Sequence, residues 1–202
     1  MNLPTKLTIM RIIMTFIIIF ILLFPFYAVG VEFPQYTVSG IVIKSEYIVA
    51  GILFIIASIT DFIDGYLARK NNQVTDLGKM LDAIADKILV NTILIILACQ
   101  GFIYPIIPVI TVLRDTFVDA IKMQSAGKGK VVAAIKTGKI KTASLMIGIV
   151  LVLFYNLPFE IMNLNVGTFF LIIGAVMSII SGIEYYNLHK KLIFGEKEEI
   201  LS

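Results

Sequence analysis

Six apolar stretches, each about long enough to cross a hydrocarbon core, leave this chain few folds to choose from. They run at 8–29, 47–68, 80–100, 103–121, 142–158 and 166–187. The 202 residues are 58% hydrophobic and only 15% charged, too apolar for a soluble domain to cover itself with polar surface. No segment shows the alternation that a membrane β-barrel needs. The expected fold is all-α: a polytopic membrane protein with six transmembrane helices, forming a single domain over residues 1–202.

The first stretch is distinguished from a secretory leader by length. Its apolar part, Ile12 to Ala28, outruns the ~7–15-residue core of such leaders, and no small-x-small cleavage site follows. It is expected to stay as a helix, with Pro4 as a break before it. Basic residues set the orientation. If the N-terminus is inside, the external loops (30–46, 101–104 and 158–166) hold Lys44 alone. Lys6, Arg69, Lys70, Lys79, Lys122, Lys128, Lys130, Lys136, Lys139, Lys141, Lys190, Lys191 and Lys197 all fall inside. Under the positive-inside rule both termini are cytoplasmic. Residues 30–46, with Gly30, Pro34, Gly40, Phe33 and Tyr36, read as an interfacial external loop. Residues 123–141 read as one long basic cytoplasmic loop, and the tail from His189 as solvated. Cys99, the single cysteine, reads as a small buried hydrophobe.

Against this background the carboxylates stand out. The chain reads Asp61-x2-Asp64-Gly65-x2-Ala68-Arg69, eight residues, then Gly78-x3-Asp82-x3-Asp86. Charges at the edges of membrane segments are costly and usually functional. Spacings of three and four put Asp61 with Asp64, and Asp82 with Asp86, on shared helix faces. A short polar turn, Lys70–Leu77, would bring those faces together. Four carboxylates in one pocket call for cations, and an all-oxygen set suits Mg²⁺, Mn²⁺ or Ca²⁺ rather than zinc. Helical spacing does not by itself separate the roles of the four. Gly65 and Gly78 leave room for a phosphate beside the backbone, or for close helix packing. Arg69 can grip phosphate or reach the headgroups.

The pattern resembles the shared motif of the CDP-alcohol phosphatidyltransferases, with all eight fixed positions filled. That resemblance implies two divalent cations, Mg²⁺ first and Mn²⁺ second, bearing on Asp61, Asp64, Asp82 and Asp86. It implies that Asp86 is the general base on an acceptor hydroxyl. It also implies that Asp61, Asp64, Gly65, Ala68, Arg69, Gly78 and Asp82 bind CDP-diacylglycerol, and that the protein is a homodimer. The site would open to the cytosol at the plasma membrane.

The acceptor is read from the remaining cations. Arg114 lies inside an apolar stretch, where Asp115 and Asp119 could neutralise it or a polar cavity could receive it. Lys136-Thr137-Gly138-Lys139-Ile140-Lys141-Thr142 resembles a segment of the glycerol-phosphate-using branch of the family, as does Asn2-Leu3-Pro4-x2-Leu7-Thr8-x2-Arg11. The chain departs from that branch at Thr5, where asparagine is usual, at Asp115, where glutamate is common, and at Leu145, often glutamine. The branch implies sn-glycerol 3-phosphate as acceptor, its phosphate held by Arg114, Lys139 and Lys141, with Lys136 and Arg11 in support. The basic residues also suit anionic membrane lipid. Inositol phosphate, or phosphatidylglycerol as in a cardiolipin synthase, are the competing acceptors. A divalent-cation transporter would also place aspartates in the membrane, but these gather at one face and have no acidic external mouth. No nucleic-acid partner is expected.

Overall fold

The computed structural model describes residues 3–70, 76–127, 133 and 135–194, with the side chains of 3–4, 62, 64–70, 76–77, 79 and 191–194 outside that description. Six long helices follow in order: α1 (Leu3–Leu23), α2 (Ser45–Lys70), α3 (Asp76–Cys99), α4 (Ile106–Gly127), α5 (Lys136–Leu153) and α6 (Val166–Phe194). Helix α1 packs against both α2 and α3, which touch each other sparingly among the described residues; α5 and α4 both lie against α6. Arg11's helix stands between α2 and α3.

Several boundaries differ from the sequence reading. Pro4 lies in the first turn of α1 rather than ahead of it, where its missing N–H would have had no helical partner anyway. Helix α1 stops at Leu23 because Pro25 follows, and a short 3₁₀ turn, Phe26–Val29, ends at Gly30 with φ 75°. Residues 30–46 carry a hairpin of β1 (Gln35–Val38) and β2 (Ile41–Lys44), in the register Gln35 to Lys44 and Val38 to Ile41. Ser39 and Gly40, at φ 52° and 84°, supply the left-handed pair that a tight two-residue turn requires. The basic loop is shorter than 123–141: α4 runs on to Gly127 and α5 begins at Lys136. Its lysines are good helix formers, and Lys141 and Ser144 continue the buried stripe of α5. Helix α6 likewise continues past His189, whose ring stacks on Tyr185 one turn back. Cys99, the last residue of α3, is exposed rather than buried.

The surface is apolar along its outer faces. Phe16 and Phe20 of α1, Ile52, Ile56 and Ile59 of α2, and Phe169, Ile172 and Val176 of α6 are all exposed. Patches of this extent mark a surface meant for a nonaqueous neighbour. Among the described residues, Thr5–Leu23 and Val166–Lys190 are long and apolar enough on their own to cross a membrane. Helices α3, α4 and α5 give part of their length to charged residues.

Close packing of α5 on α6 rests on reciprocal glycines. Gly148 receives Leu171, and Gly174 receives Leu145; a Cβ at either would lie within 2.6 Å of the leucine. Small residues of this kind let helices approach where lipid provides no hydrophobic drive. The connection between the two helices is organised by Asn156. It donates to the Leu164 carbonyl at 2.6 Å and accepts from the Gly167 N–H at 2.9 Å.

Candidate active site

Each helix buries one stripe, and every stripe changes character along its length. In α2, Tyr47, Ala50, Phe54 and Ala57 enter the apolar core, and the next position on that face is Asp61. In α3 the apolar run Ile93, Leu89, Ala85 leads back to Asp82. Helix α1 passes from Leu22, Ile18 and Met14 to Arg11, Thr8 and Thr5; α5 passes from Ile149 and Leu145 to Lys141. Helix α4 moves from Ile107 through Thr111 to Asp115, and α6 from Leu171 to Ser178 and Ser181. The polar ends belong to the N-terminal parts of α1, α3 and α5 and the C-terminal parts of α2, α4 and α6. An up-and-down bundle puts those ends on one side. Leu145 faces Gly174, so the departure from glutamine there serves helix packing.

The first polar cluster centres on Arg11. Its side chain is 0% exposed and pairs with Asp61 of α2, while its Nη1 donates to Asp82 Oδ1 of α3 at 3.1 Å. Asp61 and Asp82 keep side-chain exposures of 34% and 48%, so both carboxylates remain partly accessible. Asp86, one turn on, is within electrostatic range of Lys141, Arg11, Asp82 and Asp115. Gly78 lies in the first turn of the same helix. The side chains of Asp64, Ala68 and Arg69, and the surroundings of Gly65, lie outside the described residues. Among the described residues no group of three acidic, histidine or cysteine side chains is arranged to hold a metal ion. The donor set nevertheless fits a hard cation. Arg11 already bridges a carboxylate of each motif helix, and carboxylate oxygens are the ligands a hard cation takes.

The second cluster centres on Asp115. Its Oδ1 accepts from Lys141 Nζ at 2.6 Å and from Arg114 Nη1 at 2.9 Å. Its Oδ2 faces Asn91 Nδ2 of α3 at 3.4 Å. Arg114 is held further by Ser181 Oγ of α6 at 3.0 Å, and its guanidinium lies 5.4 Å from the centroid of the Tyr185 ring. Asp115 is thus the partner of Arg114. Asp119 pairs instead with Lys87 of α3. Lys87 with Asp119 and Asn91 with Asp115 are successive rungs between antiparallel α3 and α4. Of the three lysines at the start of α5, Lys141 is buried in this cluster, whereas Lys136 and Lys139 are exposed. Thr137, between them, donates to Glu184 of α6 at 2.6 Å.

Asn91, Ser181 and Glu184 were not picked out from the sequence. Each lies in a stripe that reads as membrane helix, and only the position of its neighbours reveals a use. The signal available was periodicity: Ser178 and Ser181 continue the α6 stripe, as Asp61 does that of α2.

A bundle with an apolar exterior, carboxylates from two helices at one end and buried cations beside them is suited to phosphate chemistry at a membrane face. The chain belongs to the CDP-alcohol phosphatidyltransferase family, whose sequence profile matches residues 1–180. A CDP-diacylglycerol–glycerol-3-phosphate 3-phosphatidyltransferase of Bacillus subtilis (strain 168) is 38% identical over 92% of this chain and 94% of its own length. Proteins of the same name from Mycoplasma genitalium (37% identical, 72% of this chain, 66% of theirs) and Rickettsia typhi (34%, 94% and 97%) are similar too.

Proposed function

We propose that this protein transfers the phosphatidyl group of CDP-diacylglycerol to sn-glycerol 3-phosphate, giving phosphatidylglycerophosphate and CMP. The observation that carries the reading is the pairing of two clusters at one end of the bundle. Arg11, Asp61 and Asp82 serve the donor side, and Arg114, Lys141 and Asp115 the acceptor side, with Asp86 in electrostatic range of both. The names of the relatives support the same donor and acceptor.

In this reading the chain crosses the plasma membrane six times as a single domain over 1–202. Both termini and the site face the cytoplasm, as the basic residues indicate. CDP-diacylglycerol approaches from the inner leaflet. Asp61, Asp64, Asp82 and Asp86 would hold two divalent cations, Mg²⁺ or Mn²⁺, which when bound neutralise pyrophosphate charge and favour departure of the nucleotide. Gly65, Ala68 and Gly78 leave space for the cytidine diphosphate, and Arg69 contributes a cation to its phosphates. Asp86 takes the proton of the acceptor's 1-hydroxyl. That oxygen attacks the phosphorus bonded to the diacylglycerol oxygen; the new P–O bond forms as the bond to CMP breaks. Arg114 and Lys141 grip the acceptor's own phosphate, with Lys136 and Lys139 drawing it in from solvent and Arg11 contributing positive potential. A neutral acceptor has no use for so many cations. The protein acts as a homodimer.

Purified protein with CDP-diacylglycerol and Mg²⁺ tests this, offered glycerol 3-phosphate, inositol phosphate, serine or phosphatidylglycerol in turn. CMP release only with glycerol 3-phosphate is expected. Release with another alcohol would keep the donor chemistry and reject the acceptor.

A further inference from the structure

Asp115 is a carboxylate buried where the proposed reaction needs cations. Both its hydrogen-bonded cations meet the same oxygen, Oδ1, with Lys141 at 2.6 Å and Arg114 at 2.9 Å. Their head groups are therefore held side by side, although one comes from α4 and the other from α5. The carboxylate plane is set in turn by Asn91 of α3 through Oδ2, and the guanidinium plane by Ser181 of α6 through Nε. Three helices, α3, α4 and α5, thus meet at one anion, and α6 braces one of its cations. Gly138 lets this happen: a Cβ there would lie 3.3 Å from Arg114 Nη2, so the first turn of α5 closes tightly over the guanidinium.

A lysine that has four rotatable side-chain bonds costs entropy to fix, and a phosphate that meets a wandering ammonium gains little from it. Holding the two cations ready removes that cost before the acceptor arrives. A buried carboxylate also allows Lys141 to remain charged in a place where an isolated ammonium would be expensive. Neither benefit requires Asp115 to touch substrate. The shorter aspartate, at a position next to Arg114, keeps Oδ1 close to its own helix and draws Lys141 toward α4.

We infer that Asp115 is a positioning residue for the acceptor: it sets the spacing of Lys141 and Arg114 that recognises a phosphate monoester. The inference rests on the proposed transfer to glycerol 3-phosphate and deepens it. Asp115 itself does not contact the reacting atoms. Its loss therefore shows in acceptor binding, while donor binding, which depends on the motif of α2 and α3, stays as it was.

The test is steady-state CMP release by the detergent-solubilised full chain, for the wild type, Asp115→Asn and Asp115→Glu. Donor and acceptor concentrations are varied separately, and inorganic phosphate is added as a competitor. Asp115→Asn should raise the acceptor KM and the phosphate inhibition constant together by about 30-fold or more, with the donor KM within about twofold. Asp115→Glu restores the charge but moves the oxygens by one methylene, so it should recover most of that loss while remaining measurably weaker than wild type. The glutamate variant alone decides the matter if the asparagine variant does not fold. A fall in kcat with both KM values unchanged, or donor and acceptor KM rising equally, would overturn the inference. Wild-type protein that ignores glycerol 3-phosphate would instead reject the proposed acceptor, a failure visible before any variant is compared.

Discussion

Arg11 donates to Asp82 across a sequence separation of 71, with Nη1 and Oδ1 3.1 Å apart, and the same guanidinium pairs with Asp61. One side chain of α1 thereby links both halves of the carboxylate motif. Two helices that touch sparingly among the described residues are joined through a third.

Arg11→Met should consequently destabilise the bundle. Removing one partner leaves two carboxylates near one another without their cation, at a cost of about 3 kcal/mol, the low end for a buried pair because both aspartates are partly exposed. Thermal unfolding in detergent should show a clearly lower Tm without divalent ions and a partial recovery on adding Mg²⁺. An unchanged Tm in metal-free buffer would mean the link contributes nothing to stability.

Gly148 and Gly174 test the packing of α5 on α6. Gly148→Ala places a methyl 2.6 Å from Leu171 Cδ2 and 3.0 Å from its backbone nitrogen, so the side chain can yield but the helix must shift as well. Overpacking of this kind costs ~1–3 kcal/mol. Pairing it with Leu171→Ala should recover part of the loss, and simple additivity in the double variant would show that the two residues are not coupled.

Asp119→Asn offers a contrast. The Lys87–Asp119 pair is about one-third exposed on each side, and exposed pairs contribute under ~1 kcal/mol. Tm and CMP release should stay close to wild type. A loss as large as that expected for Asp115→Asn would mean that α3–α4 contacts generally, and not the Asp115 cluster, govern the site.

The helical, membrane-suited character of the chain and its paired carboxylate faces were legible from its sequence for physical reasons, and its family through the resemblance of the motif at 61–86. Apolar length reports the bilayer, and fixed spacing of Asp61, Asp64, Asp82 and Asp86 reports helix faces. The partners of those residues were not. Arg11 reads as an acceptor ligand from its neighbours in sequence, and nothing in them tells that its ion pairs run to Asp61 and Asp82. Lys141 and Asp115 are 26 residues apart on different helices, and no local pattern registers two helices against each other. The start of α5 was misplaced because a run of lysines looks like solvated loop, and burial of Lys141 depends on a carboxylate elsewhere. The hairpin was hidden by its shortness: four residues per strand give too little alternation to read.

Divalent-ion removal probes the oxygen donor set. EDTA should abolish CMP release, and Mg²⁺ or Mn²⁺ should restore it, because carboxylates and phosphate suit hard cations. Full activity after exhaustive chelation would remove the cations from the account.

The most direct measurement is transfer of labelled glycerol 3-phosphate into chloroform-extractable lipid, comparing wild type with Asp86→Asn in the presence of CDP-diacylglycerol and Mg²⁺. Wild-type protein should incorporate label in step with CMP release, and the variant should lose at least ~10²-fold of that rate, the usual scale for a general base. Incorporation by Asp86→Asn at the wild-type rate, or none by folded wild type, would contradict transfer to glycerol 3-phosphate at this carboxylate site.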